Sequence, residues 1–185
     1  MFFIRYFKKM PPGRLIALGF ALVILAGALI LKLPVSVWPD PEVSFVDALF
    51  TSTSAVCVTG LIAIDVADHF TPFAQAVVAV LIQIGGLGVT SVGVGLILAA
   101  GKRVGIRGRM LAKEALNVDS FSGIIRLVRA VLLMTLFFET AGAVLSFLVF
   151  IQDYPLPHAL GISVFHSIAA FNNSGFDILG GLRNL

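Results

Sequence analysis

One uninterrupted apolar run limits most strongly what this chain can fold into. Residues 73–100 are 28 in number and include no Asp, Glu, Lys or Arg. Because about 20 apolar residues in a helix cross the hydrocarbon core of a bilayer, this run predicts a membrane-spanning helix. Residues 15–33, with Lys32 as their one charge, and residues 130–151, with Glu139 as theirs, predict two more. The chain is therefore predicted to be an all-α polytopic membrane protein.

The composition supports this prediction. Hydrophobic residues make up 58% of the chain and charged residues 12%, whereas soluble domains have about 45–50% hydrophobic and about 25% charged residues.

A signal peptide is the alternative interpretation of residues 15–33. It is disfavoured because the run exceeds the usual h-region of about 7–15 residues and no small-residue cleavage site follows it.

The basic residues predict which side of the membrane each connection faces. Eleven of the 13 lie in two stretches, before the first run and between the second and third. Positive charge marks cytoplasmic connections, so residues 1–14 are predicted to be a cytoplasmic N-terminus and residues 101–129 a basic cytoplasmic linker. The location is then the plasma (inner) membrane, and the acidic connection between the first two runs faces outward. Since the positive charge is explained by topology, no nucleic-acid partner is predicted.

The outward connection contains a segment too apolar for water and too interrupted for a full crossing, residues 43–64. Ser44 followed by Asp47 has the form of a helix start, and Asp47 is interpreted as a cap that supports the helix rather than as an ion ligand. A helix over residues 45–54 would be about 15 Å long, half of a bilayer. A re-entrant half-helix is therefore predicted.

Small and β-branched residues ending in glycine follow this half-helix. Extended backbone at membrane depth is tolerated only where it is buried in protein or lines a water-filled cavity. Carbonyl oxygens of such backbone can replace the hydration shell of a cation. We therefore predict a first selectivity-filter strand that binds a cation through its main chain, with the Thr59 hydroxyl as a further ligand or support. Its residues are Val56, Cys57, Val58, Thr59 and Gly60.

A repeat at an offset of 115 residues strengthens this interpretation. Over the 47 positions from Arg14 to Gly60, ten residues are identical to those 115 positions later. The half-helix maps onto residues 160–169, and a second polar, glycine-ended filter strand follows. Its residues are Phe171, Asn172, Asn173, Ser174 and Gly175.

Each predicted unit is thus a membrane helix, a re-entrant pore helix with its filter loop, and a closing membrane helix. The first unit covers residues 15–100, and the second, residues 130–185, is incomplete because its closing helix would begin near position 188. About one and a half units are present, whereas a ring of such loops normally needs four. We expect a fragment of a longer protein.

Six motifs in this order resemble the Ktr/Trk/HKT superfamily of potassium transporters, most closely the bacterial Ktr-type membrane subunit. They are residues 45–55 (FVDALFTSTSA), 58–61 (VTGL), 83–88 (QIGGLG), 101–105 (GKRVG), 114–117 (EALN) and 171–177 (FNNSGFD). The resemblance implies potassium uptake through four repeats around one pore, with sodium as a possible coupling ion and no organic cofactor. It also implies a homodimer and a cytoplasmic ring of nucleotide-binding regulatory subunits.

Alternatives remain open from the sequence. The chain could be a non-conducting scaffold for a cytoplasmic regulator, a carrier of another solute, or an intramembrane hydrolase that uses Cys57 or Ser174 with His166. An enzyme is not the preferred interpretation. Glu139, near the middle of a span, is interpreted equally as functional or as structural support, because an intramembrane carboxylate normally pairs within a bundle. The glycines of residues 85–95 are predicted to permit close helix packing or bending.

Overall fold

The computed structural model describes residues 10–39, 42–101, 103–118 and 122–180, without the side chain of residue 107. Most of the predicted cytoplasmic N-terminus, including Arg5, Lys8 and Lys9, and also Lys102 lie outside the described residues. The described residues form helices, with no strand beyond one isolated bridge between Val37 and Phe70. The helices are α1 (Pro12–Leu31), α2 (Phe45–Cys57), α3 (Val66–His69), α4 (Pro72–Leu87), α5 (Val89–Ala99), α6 (Ile106–Ala115), α7 (Ile124–Phe150) and α8 (Leu156–Phe171).

Two of these helices are long and apolar enough to cross a membrane by themselves. They are α1, with 20 residues, and α7, with 27. At 1.5 Å per residue they measure about 30 and 40 Å, against a hydrocarbon core of about 30 Å. Large apolar side chains of α7 such as Leu136, Phe137 and Leu145 are exposed, as lipid-facing or partner-facing residues would be. The prediction of an all-α membrane protein is confirmed.

The span predicted over residues 73–100 is not one straight helix. Helices α4 and α5 meet at Gly88 and are bent by 103° relative to each other. The Gly88 amide donates to the Gly85 carbonyl, and Gly88 has φ +80°, a conformation that a residue without Cβ adopts at little cost. The run that was predicted as one membrane helix is therefore two helices, and the predicted bending at this glycine run is confirmed at Gly88.

The re-entrant helix α2 starts where the sequence predicted. The Ser44 hydroxyl accepts from the Asp47 amide at 3.1 Å, and the Asp47 carboxylate accepts from the Ser44 amide at 3.0 Å. This reciprocal pair is a capping box, which satisfies two amides at the exposed helix start. The hydroxyl and the amide of Ser44, both donating to Asp47, hold the pKa of that carboxyl below its usual value.

The helices pack around two groups of buried apolar residues. Helices α1, α2 and α4 contact one another, and α8 contacts both α4 and α7. Their shared core includes Leu31, Val56, Val78, Ile82 and Ile162. Helices α5, α6 and α7 enclose a smaller group, Val94, Val104, Ala112, Ile124 and Val128. The bend at Gly88 separates the two cores, so α2 and α8 lie with the first core and the basic segment lies with the second.

The connection before α4 is fixed to the connection after α1. The Trp38 amide donates to the His69 carbonyl at 3.1 Å, and the Thr71 amide donates to the Ser36 carbonyl at 3.0 Å. The Lys32 ammonium donates to the carbonyl of Val43, just before α2. These bonds fix the positions at which α2 and α4 begin.

Candidate functional site

The two helices predicted as pore helices, α2 and α8, are longer than expected, and the segments that follow them are shorter. Helix α2 continues to Cys57, so Val56 and Cys57 are helical, and Phe171 is the last residue of α8. The prediction that these three residues are extended was wrong. Val56 is buried against α4 at Gly85, where an added Cβ would overlap the Val56 carbonyl, and this close packing extends the helix.

The residues after the two helices form loops with matching backbone angles. We call residues 58–60 loop 1 and residues 173–175 loop 2. Val58 and Asn173 have φ +53° and +54° and are left-handed, which is unusual for residues with a Cβ. Gly60 and Gly175 both have φ +71°. The two loops, 115 residues apart in the sequence, therefore turn in the same way.

Equivalent hydrogen bonds fix each loop to its own helix. The Thr59 amide donates to the Ser54 carbonyl at 3.0 Å, and the Ser174 amide donates to the Ala169 carbonyl at 2.9 Å. The hydroxyls of Ser54 and Thr59 are also hydrogen-bonded to each other at 2.9 Å. The Thr59 side chain is therefore held against α2.

Loops 1 and 2 meet at their glycines. A Cβ on Gly60 would lie 2.9 Å from the Ser174 carbonyl oxygen, and a Cβ on Gly175 would lie 3.1 Å from the Gly60 Cα. The first distance is shorter than real Cβ atoms show, and the second would force the neighbouring backbone to move by a few tenths of an ångström. The structure thus brings the glycine ends of the two predicted filter segments together and explains why both positions require glycine.

Each pore helix is also anchored to the long helix that precedes it. The Ser52 hydroxyl in α2 donates to the Ile24 carbonyl in α1 at 2.8 Å, and the Ser167 hydroxyl in α8 donates to the Glu139 carbonyl in α7 at 2.7 Å. The donor serine and the acceptor carbonyl of the second bond each lie 115 positions after those of the first. The repeated sequence elements therefore make equivalent contacts in space.

A group of three polar side chains lies beside loop 2. Asn172, the residue after α8, donates through Nδ2 to the Gln83 Oε1 at 2.8 Å and to the Ile168 carbonyl at 2.9 Å. Gln83 donates through Nε2 to the Glu139 Oε2 at 3.1 Å. Gly86, one turn after Gln83, leaves space for the Asn172 amide that a Cβ would fill. Sequence analysis did not find this group, because its members are 33 to 89 residues apart.

The side chains suggested for a hydrolase are not arranged as a nucleophile and its base. His166 packs edge to face on Phe150, with ring centroids 5.7 Å apart. The Ser174 hydroxyl, which is buried, accepts from the Phe176 amide at 3.5 Å. Cys57 is exposed at the end of α2. Among the described hydrogen bonds, His166 is joined to neither candidate nucleophile, so this geometry offers no support for acyl transfer.

Comparison with known proteins gives one family. The family model TrkH, described as a cation transport protein, matches residues 21–181. The Ktr system potassium uptake protein B of Bacillus subtilis is 40% identical over 170 residues, covering 92% of this chain. The potassium/sodium uptake protein NtpJ of Enterococcus hirae is 39% identical over 173 residues, and the Ktr system potassium uptake protein D of Bacillus subtilis is 36% identical over 176 residues, each covering 94% of this chain.

These relatives are uptake proteins, in keeping with the prediction that the chain is not an enzyme. The predicted resemblance is confirmed by the same matches. The chain spans 38–39% of the length of these three relatives.

Proposed function

Because the chain belongs to the TrkH family of cation transport proteins, we propose that loops 1 and 2 supply part of a potassium-selective path through the membrane. Their main-chain carbonyls take the place of water around the ion. The observation that carries the proposal is the meeting of the two loops at Gly60 and Gly175. The residues that precede the loops hold them in place: Val56, Cys57 and Phe171, which are helical, and Asn172, which follows α8.

The direction of the pore helices supports a cation as the transported species. Helices α2 and α8 both end at the loops, and a helix C-terminus carries a partial negative charge. Two such ends next to the path favour a cation there. The backbone, rather than side chains, then provides the ligands, which agrees with the different side chains in the two loops.

Potassium is the proposed ion because the three relatives are named as potassium uptake proteins. Sodium is proposed as a coupling or activating ion, since one of them is named a potassium/sodium uptake protein. No organic cofactor is proposed.

The whole protein is proposed to contain four such repeats around one pore. We propose a homodimer of this subunit in the plasma membrane, with the N-terminus in the cytoplasm. The regulatory partner is proposed to be a cytoplasmic ring of nucleotide-binding subunits. The basic segment around α6, with Arg103, Arg109 and Lys113, is proposed as the docking site for this partner because it is positively charged.

Uptake in a bacterium deficient in potassium uptake tests the function. The full-length protein is expressed as wild type, Gly60→Ala and Gly175→Ser, and uptake of K⁺ and Na⁺ is measured with and without added sodium. Both variants force a Cβ into the contact between the loops and a positive φ onto a non-glycine residue. We expect each to lower the preference for K⁺ over Na⁺ by about tenfold or more, which corresponds to about 1.4 kcal/mol.

Gly161→Ala is the matched control. Gly161 lies within α8, and an added Cβ there meets nothing within 4 Å. We expect wild-type uptake and preference from this variant. Equal K⁺ preference in the wild type and both loop variants, at equal amounts in the membrane, would contradict the filter and favour the scaffold alternative.

A further inference from the structure

The three polar side chains beside loop 2 form a closed network. Glu139 accepts from Gln83 Nε2 at Oε2 (3.1 Å) and from Asn172 Nδ2 at Oε1 (3.4 Å). Asn172 Nδ2 also donates to Gln83 Oε1 at 2.8 Å. We call Gln83, Glu139 and Asn172 the Glu139 network. It joins α4, α7 and the end of α8, and all three side chains are partly buried.

The directions of these bonds call for a carboxylate at position 139. Both neighbours donate to it, one to each oxygen. A carboxylate accepts at two oxygens, whereas an amide has only one oxygen and presents two donor hydrogens. Hydrogen bonds to an ionised group are also stronger than neutral ones, and more so away from water. The side chain at 139 therefore fixes the orientation of the Gln83 amide, whose oxygen in turn accepts from Asn172.

The first repeat shows that the fold does not require this network. The positions 115 residues before Glu139 and Asn172 are Ile24 and Cys57. Helices α1 and α2 are nevertheless joined by the same serine-to-carbonyl bond as α7 and α8. An apolar residue and a cysteine thus occupy these positions in the first repeat without a carboxylate. The network is a specific feature of the second repeat.

The network also connects the two repeats next to loop 2. Gln83 belongs to the closing helix of the first repeat, whereas Glu139 and Asn172 belong to the second. Asn172 directly precedes Asn173, the left-handed residue at which loop 2 turns. A bond that fixes the Asn172 side chain to α4 therefore fixes the start of loop 2 relative to the first repeat.

We propose that Glu139 is a positioning residue for ion preference, which acts on loop 2 through Asn172 and Gln83. This inference rests on the proposed function, because it assumes that loop 2 contributes carbonyl ligands. Preference among cations depends on the number and placement of those ligands. Loss of the carboxylate leaves the Gln83 Nε2 without its acceptor and removes one of the three bonds of Asn172 Nδ2. The Gln83 amide, which accepts from Asn172, is then free to turn, and loop 2 can shift relative to loop 1.

The test measures uptake of K⁺ and Na⁺ by the full-length protein with Glu139→Ile, which copies the first repeat, and with Glu139→Gln. Initial rates over a range of ion concentrations give KM and the maximal rate for each ion. We expect Glu139→Ile to lower the K⁺ over Na⁺ preference by about tenfold, equal to about 1.4 kcal/mol of discrimination. Glu139→Gln retains one acceptor oxygen, so we expect a smaller loss.

Thr140→Ala is the matched control on α7. Thr140 is exposed, and its hydroxyl donates only to the Leu136 carbonyl within the helix. We expect wild-type preference from it. Immunoblotting of membranes corrects all rates for the amount of protein.

A double-mutant cycle separates positioning from folding. If Glu139 acts through Asn172, then Asn172→Cys alone and Glu139→Ile with Asn172→Cys together should lower the preference about as much as Glu139→Ile alone. Losses that add would contradict action through Asn172. A Glu139→Ile variant with reduced abundance but unchanged preference would overturn the inference and leave a folding role. A wild type without K⁺ preference, or Gly60→Ala without effect, would instead contradict the proposed function.

Discussion

At the scale of single residues, the packing of this molecule depends on where glycine, which has a hydrogen in place of Cβ, allows close contact. At Gly85 an added Cβ would overlap the Val56 carbonyl, which is backbone and cannot rotate away. Gly93, eight residues later in the bent pair of helices, has nothing within 4 Å of such a Cβ. The same residue type therefore has different consequences at two positions of one glycine-rich run.

Alanine at these two positions should give opposite results. We expect Gly85→Ala to destabilise the protein by about 1–3 kcal/mol, the usual cost of overpacking. Gly93→Ala should leave stability unchanged or raise it by up to about 1 kcal/mol, because alanine favours the helix. The measurement is thermal unfolding of the purified full-length protein in detergent. Equal melting temperatures for the two variants would mean that α2 and α4 are not packed as closely as described.

The sequence predicted the loops through local features but could not predict the side-chain network. Gly60 and Gly175 were expected because each ends a predicted filter segment and the two are separated by the repeat offset. Glu139 was noticed only as a charge within a span. Its partners, Gln83 and Asn172, come from elements that approach only after folding. Hydrogen bonds across 56 and 33 residues leave no local pattern.

At the level of elements, starts were easier to predict than ends. Helix α2 starts at Phe45 as expected, because the Ser44 and Asp47 side chains cap it locally. Its end was placed too early because Val56 and Cys57 have side chains typical of strands, whereas burial of Val56 against α4 extends the helix. The glycines of residues 85–95 predicted packing or bending, but an apolar run of 28 residues does not show where the bend lies or how large it is. Tertiary packing decides both features.

The capping box at the start of α2 gives a prediction for the stability of this helix. Ser44→Ala removes the hydroxyl that accepts from the Asp47 amide, and we expect a loss of about 0.5–2 kcal/mol with fraying of the first turn. Hydrogen exchange at the first amides of α2, followed by mass spectrometry, measures this directly.

Thr53→Ala is the control for that experiment. Thr53 is exposed in the same helix, and its hydroxyl donates to the Leu49 carbonyl four residues earlier. Its removal should leave exchange at the start of α2 unchanged. Faster exchange in both variants, or in neither, would show that the capping box does not determine where α2 begins.

At the level of the whole molecule, the charges and the helix lengths predict how the chain lies in the membrane. Helix α7 has Arg126 and Arg129 near its start, and Asp153 follows its end. Its length of about 40 Å exceeds the hydrocarbon core of about 30 Å, so its two ends reach opposite surfaces. Basic residues favour the cytoplasmic surface. The connection between α7 and α8 should therefore face outward and α6 inward.

Cysteine labelling of intact cells tests this orientation. In a Cys57→Ala background that retains uptake, Asp153→Cys and Met110→Cys each add one thiol at an exposed position, after α7 and on α6 respectively. A membrane-impermeant maleimide should label Asp153→Cys in intact cells and Met110→Cys only after permeabilisation, while the background protein stays unlabelled. The reverse labelling pattern would mean that the chain crosses the membrane in the opposite orientation, with loops 1 and 2 at the cytoplasmic face. Labelling of both thiols from outside would mean that α7 does not cross, because an odd number of crossings between the two positions requires opposite accessibility.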